Sequence, residues 1–176
     1  MQPFTVESIN ETLELLGIDA VAARAAVDRV YTAEEAVAML TAAIGESGCG
    51  ALIDLADTLD EGIDALAGPC SRCGVSISCP IEVETGGMTV DVVAGGQTQS
   101  LSTHYRPYEE SFQPIVHGIE KAVHGHLRIF PLRSTYGTDT ITYALLTKHD
   151  WERLLRILGA PAFDMLFVDL AGKSIV

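Results

Sequence analysis

Apolar residues recur along the first part of the chain at helical spacing. Val6, Ile9, Leu13 and Leu16 fall at i, i+3, i+7 and i+10, which is one face of a helix. Thr5 is placed to cap its start and Gly17 its end. Asp19 is placed to cap a second, Ala-rich helix reaching about Tyr31. Thr32 followed by Glu35 forms a capping box. It predicts a third helix with Val37, Leu40 and Ile44 inward. After Gly45, Gly48 and Gly50, the spacing of Leu52, Leu55, Ala56 and Leu59 predicts a fourth helical stretch, with an interruption at Gly62 and an end at Gly68-Pro69.

The period then changes. Val75, Ile77, Cys79, Ile81 and Val83 alternate with Ser76, Ser78, Pro80, Glu82 and Glu84. A period of two reads as a half-buried strand, and Pro80 places it at an edge or a bulge. Gly86-Gly87 and Gly95-Gly96 read as hairpin turns around strands near Met88–Ala94 and Gln97–Thr103, completing a three-stranded meander. A helix follows from about Ser111 to His124, with Pro114 in its first turn and Phe112, Ile115, Ile119 and Val123 inward. Strands are predicted at Leu127–Arg133 and Asp139–Thr147, joined through Ser134-Thr135-Tyr136-Gly137. Thr147 caps a last helix with Trp151, Leu154, Leu155 and Leu158 inward, stopped by Gly159 and Pro161. Phe163–Leu170 reads as a final strand.

The fold class implied is α+β: an N-terminal helical bundle followed by a mainly antiparallel sheet with two packing helices. The organisation divides into an acidic helical region, 1–68, and an α+β region, 69–176, which can share one core. A chain of 176 residues buries enough surface to fold without a disulfide or metal. Hydrophobic content of 48% and a mean hydropathy of +0.26 argue against disorder.

Charge changes the picture. Residues 1–69 hold 13 Asp/Glu against Arg24 and Arg29, so most of the net charge of −13 lies there. Such a surface repels phosphate backbones, which excludes direct nucleic-acid binding by that half. It attracts a basic protein partner; the plainer reading is that it only keeps the chain in solution. The first basic residue is Arg24 and the apolar run Ala36–Gly45 is about half a membrane span, so the expected location is cytoplasmic, away from membranes. Four cysteines are then reduced thiols or metal ligands.

Pro69-Cys70-Ser71-Arg72-Cys73-Gly74 resembles half of a zinc ribbon: a Cys-x-x-Cys turn can aim two thiolates at one metal. No second Cys-x-x-Cys follows; Cys49 or a histidine would have to complete the site, and Cys79 reads as a buried small hydrophobe. A redox pair is a further reading of Cys70 and Cys73, without the βαβ setting such pairs occupy; unligated loop thiols are the plain one. His117, Glu120, Lys121 and His124 share one helix stripe, with His126 close behind, and two imidazoles and a carboxylate on one face can ligate a metal; but that stripe is the complement of the apolar face, with Lys121 opposing a cation, and reads as solvated. No Gly-x-Ser-x-Gly elbow or Gly-x-Gly-x-x-Gly fingerprint is present, and Gly172-Lys173-Ser174 lacks the earlier glycine of a phosphate loop, since Phe167 stands there. His104-Tyr105-Arg106-Pro107-Tyr108 is a candidate contact loop, because Tyr and Arg anchor interfaces. Tyr136 carries the same reading, and a simple connection is the alternative for both.

The functional expectation is a protein-binding module: an acidic inhibitor of immunity-protein or antitoxin type that neutralises a basic effector such as a nuclease. Its contacts would be Glu34, Glu35, Asp54, Asp57, Asp60, Glu61, Asp64, Tyr105 and Tyr108. The alternatives are a zinc-binding regulator or enzyme using Cys70 and Cys73, and a small-molecule binder or enzyme assembled from residues distant in sequence.

Overall fold

The computed structural model describes residues 4–19, 32–80 and 88–168. The body of the expected helix from Asp19 to Tyr31, positions 81–84 of the first expected meander strand and the turn at Gly86-Gly87 lie outside the described residues.

Helix α1 (Val6–Leu15) opens on a reciprocal cap, with the Ser8 amide donating to Thr5 Oγ1 and the Thr5 amide to Ser8 Oγ, each at 3.0 Å. Helix α2 (Ala33–Glu46) opens on the Thr32–Glu35 box read from the sequence. Both caps satisfy backbone N–H groups that a helix leaves without partners.

Residues 50–54 form a strand, β1 (Gly50–Asp54), where helical spacing had been read. It pairs antiparallel with β6 (Thr140–Thr147), Gly50 opposite Ala144 and Asp54 opposite Thr140. Ala51 and Ile53 turn inward and Leu52 is 51% exposed, which is a period of two. Pairing with a distant strand overrides the local spacing. Helix α3 (Leu59–Arg72) starts only after Thr58, whose amide and hydroxyl both donate to Glu61. It runs through both Gly62 and Pro69. Leu66, Pro69 and Cys70 are all buried, and this packing offsets the backbone bond that proline forfeits.

Strands β2 (Val75–Ser78), β3 (Met88–Ala94) and β4 (Gln97–Thr103) form the expected meander, in the order β2-β3-β4. Gly95 and Gly96 hold φ of 56° and 78°, the left-handed pair that a tight two-residue hairpin of type I′ demands. Helix α4 (Gln113–Ala122) carries Pro114 in its first turn. Strand β5 (Leu127–Pro131) pairs with β6, and Thr147 caps helix α5 (Lys148–Leu166) through the Asp150 amide. Gly159 (φ 73°, ψ 158°) leaves helical geometry, so the helix that Thr147 caps stops there as expected, and a second helical segment continues past the kink to Leu166. The expected strand at Phe163–Leu170 is instead helical to Leu166, because Phe163 and Leu166 bury on one helical face, and among the described residues a single bridge from Phe167 to Leu132 remains of it, residues 169–170 lying outside them.

The fold is thus α+β with two antiparallel three-stranded sheets. The β1-β6-β5 sheet is the middle layer. Ala51, Ile53, Leu127, Ile129, Tyr143 and Leu145 face one core, shared with α3, α4 and the meander. Phe130, Ala144 and Leu146 face the other, shared with α1, α2 and α5. No helix among the described residues is long and apolar enough to cross a membrane.

Candidate functional site: an acidic, tyrosine-walled cleft

Beyond the end of β1, three segments distant in sequence are laced together. Asp54 and Asp57 fold the turn: the Asp54 amide donates to Asp57 Oδ2 (2.8 Å) and the Ala56 amide to Asp54 Oδ1 (2.9 Å). The Leu55 amide donates to the Asp139 carbonyl (2.7 Å), and the Tyr108 amide to the Leu55 carbonyl (2.9 Å). Thr140 Oγ1 donates to Asp54 Oδ2 (2.6 Å). These bonds join the 54–58 turn, the 104–113 connection and the start of β6 around a cleft of about 380 Å³.

Tyr105, Tyr108, Phe112, Tyr136 and Tyr143 supply its aromatic wall. Asp54, Glu109, Glu110 and Asp139 supply carboxylates, and no Lys or Arg is among the described lining residues. Tyr105 is held in place by an edge-on contact with Phe112 (5.2 Å between centroids) and by donating its hydroxyl to the Asp57 carbonyl (3.3 Å). Burial, and after it the charges of Asp57, Glu110 and Asp54, push its phenol pKa up. The bonds from Thr140 and then Ala56 hold the Asp54 carboxyl below its ordinary range, so it is charged at neutral pH.

Two wall residues are unusual. Tyr108 is 72% exposed and its backbone sits at φ 63°, a conformation costly for a residue with a Cβ. Its ring is therefore held out in water at some backbone cost. Tyr143 is 0% exposed, yet its hydroxyl has no hydrogen-bond partner among the described residues. Burial raises its phenol pKa, so it stays neutral.

The cleft gathers Asp54, Tyr105 and Tyr108 of the contacts expected from sequence, together with Tyr136; Asp57 is not in the lining but accepts from the Asp54 amide and the Tyr105 hydroxyl. Asp60, Glu61 and Asp64 follow on the exposed side of α3, where Glu61 serves the helix cap. Glu34 and Glu35 are exposed in the first turn of α2, from which no residue lines the cleft. Glu109, Glu110, Asp139 and Tyr143 were not picked out by sequence reasoning. Glu109 and Glu110 flank the aromatic loop and could have been; an orphaned hydroxyl has no sequence signature.

The other candidates are dispersed. Cys70 is fully buried inside α3 and Cys73 caps that helix, half-buried, so the expected loop is a helix end. Desolvation pushes their thiols up to about 12 and about 11. Among the described residues no group of three or more His, Cys, Asp and Glu could hold a metal. His117, Lys121 and His124 face solvent, whereas Glu120 turns inward to accept from Arg128 Nε (3.2 Å) and the Ile129 amide (2.7 Å). Burial, outweighing those bonds, raises its carboxyl pKa. Compared with known proteins, the chain matches no family model, no curated protein and no solved structure.

Proposed function

We propose that this chain is a protein-binding module, an acidic inhibitor of immunity-protein or antitoxin type that neutralises a basic effector such as a nuclease. The observation that carries the reading is the cleft: aromatic walls and four carboxylates, without a described Lys or Arg in the lining, on a chain of net charge −13. Carboxylates steer a basic partner into encounter, and aromatic anchors then slow its release. Asp60 and Asp64, exposed on α3 just after the Asp54–Asp57 turn, add to the same negative field.

The test is capture of partners by tagged protein at low and high salt, from a lysate of the organism of origin. The expected result is one stoichiometric basic protein, released at high salt. Replacing Asp60 and Asp64 by Lys should slow its association and flatten the salt dependence. Association kinetics unchanged by that reversal would sink the reading. A small-molecule reading draws on the same cavity, whose volume lies in the range of about 300–1,000 Å³ typical of ligand sites. A metabolite that raises the melting temperature while no basic protein is captured would favour it.

A further inference from the structure

We infer that the cleft is the seat of one arginine side chain of the basic partner, whose guanidinium stacks on the tyrosine wall and donates to the Tyr143 hydroxyl at the inner end. The inference rests on the protein-binding reading above and names the group that the site takes.

Three features select the guanidinium. The first is the unpartnered Tyr143 hydroxyl. Tyr143 lies on the same face of β6 as Ile141, opposite Ala51 and Ile53 of β1, and with Ile53 and Ile141 it lines the cleft. A phenol oxygen accepts as well as donates, so a cationic N–H completes it. The second is the shape of the wall. Tyr108 and Tyr136 present accessible rings, and planar guanidinium stacks on rings where a compact ammonium does not. The third is the spread of acceptors. Glu109 is already paired with Arg106 at 3.3 Å, and Asp54 already accepts from the Ala56 amide and Thr140 but keeps its charge, so Glu110, Asp139 and the remaining lone pairs of Asp54 are the acceptors in the lining. Five N–H donors in a fixed fork suit such a dispersed set better than one point charge. Because Tyr143 has no accessible surface, contact with its hydroxyl requires the lining over it to open.

The experiment titrates the whole protein, with isotope-labelled tyrosine, against acetyl-arginine-amide and acetyl-lysine-amide, following the ring signals by NMR. Millimolar affinity is what ligands this small allow, and NMR reads it. The arginine probe should shift Tyr105, Tyr108 and Tyr136 and bind more tightly than the lysine probe. Tyr143→Phe, with its melting curve recorded to verify folding, should weaken the arginine probe about tenfold, as loss of one hydrogen bond to a charged group does. The same change should leave the lysine probe unaltered, and it should weaken the captured basic partner. Absence of ring shifts, equal binding of the two probes, or an arginine affinity indifferent to Tyr143→Phe overturns the inference. The protein-binding reading fails separately: it falls if the Asp60 and Asp64 reversal leaves partner association unchanged, whatever the amide probes do.

Discussion

Tyr143→Phe should make this protein more stable, which is the reverse of what most core substitutions do. The ring is fully buried and would be kept, so the substitution opens no cavity beyond one oxygen atom. What it removes is a hydroxyl without a partner among the described residues. Burying such a group unpaired costs about 1–3 kcal/mol, which the phenylalanine ring does not incur. Allowing for the small void and incomplete relaxation, the net gain should be about 1 kcal/mol. In a chain of this length that raises Tm by roughly 2–4 °C. Tyr105→Phe is the matched control. The chemical change is identical, but the Tyr105 hydroxyl donates to the Asp57 carbonyl, and its loss should cost about 0.5–1.5 kcal/mol. Urea and thermal unfolding of both variants, followed by far-ultraviolet circular dichroism, measure the pair. Opposite signs are expected. Destabilisation of both to a similar degree would refute the reasoning, because the Tyr143 hydroxyl would then have a bond of its own. A gain in stability joined to a loss of binding would mark the group as kept for recognition at the expense of stability.

Other substitutions test the surroundings. Gly62→Ala should destabilise by about 1–3 kcal/mol despite the better helix propensity of alanine, because the new Cβ would lie 2.5 Å from the ring of Phe112; urea unfolding checks it, and an unchanged midpoint would show that the ring gives way freely. Native-state titration with a thiol reagent at pH 8 should leave Cys70 and Cys73 unlabelled, since their pKa values of about 12 and about 11 keep them as neutral thiols; rapid labelling of either would contradict their burial. The same shifts set a sign for alkaline stability: these thiols keep their protons in the folded state where the unfolded chain loses them, so stability should fall as pH rises above the ordinary thiol value of 9.0. Denaturant midpoints that stay level between pH 8 and pH 10, with Cys70→Ala and Cys73→Ala as reference, would argue against it.

Local chemistry made much of the fold legible. The caps at Thr5, Thr32 and Thr147 and the Gly95-Gly96 hairpin act over a few residues, and the sequence displays them whole. Strand β1 was misread because its cause lies about 90 residues downstream, where β6 offers backbone partners that no window around Leu52 contains. The continuation of α3 through Pro69 has the same origin, since packing against the core outweighs a local stop signal, whereas the stop at Gly159 is obeyed. In the cleft, Asp54, Tyr105 and Tyr108 stood out as charge and aromatic loop chemistry. Tyr143 did not, because on an alternating strand it reads as one more inward residue; its orphaned hydroxyl exists only through the arrangement of its neighbours.

The pairing of β1 with β6 also constrains how the chain can come into being. Gly50 leaves the ribosome long before its partner Ala144. At about 5–20 residues per second that wait is roughly 5–20 s, far longer than helix formation or hydrophobic collapse takes. During it β1 has no sheet to join, and Leu52, more than half exposed even in the finished fold, offers an apolar edge to any passing strand. The nascent N-terminal half must therefore stay out of trouble without its middle layer. Its thirteen acidic residues, which repel other copies of the same unfinished chain, are suited to keeping it apart until β6 arrives.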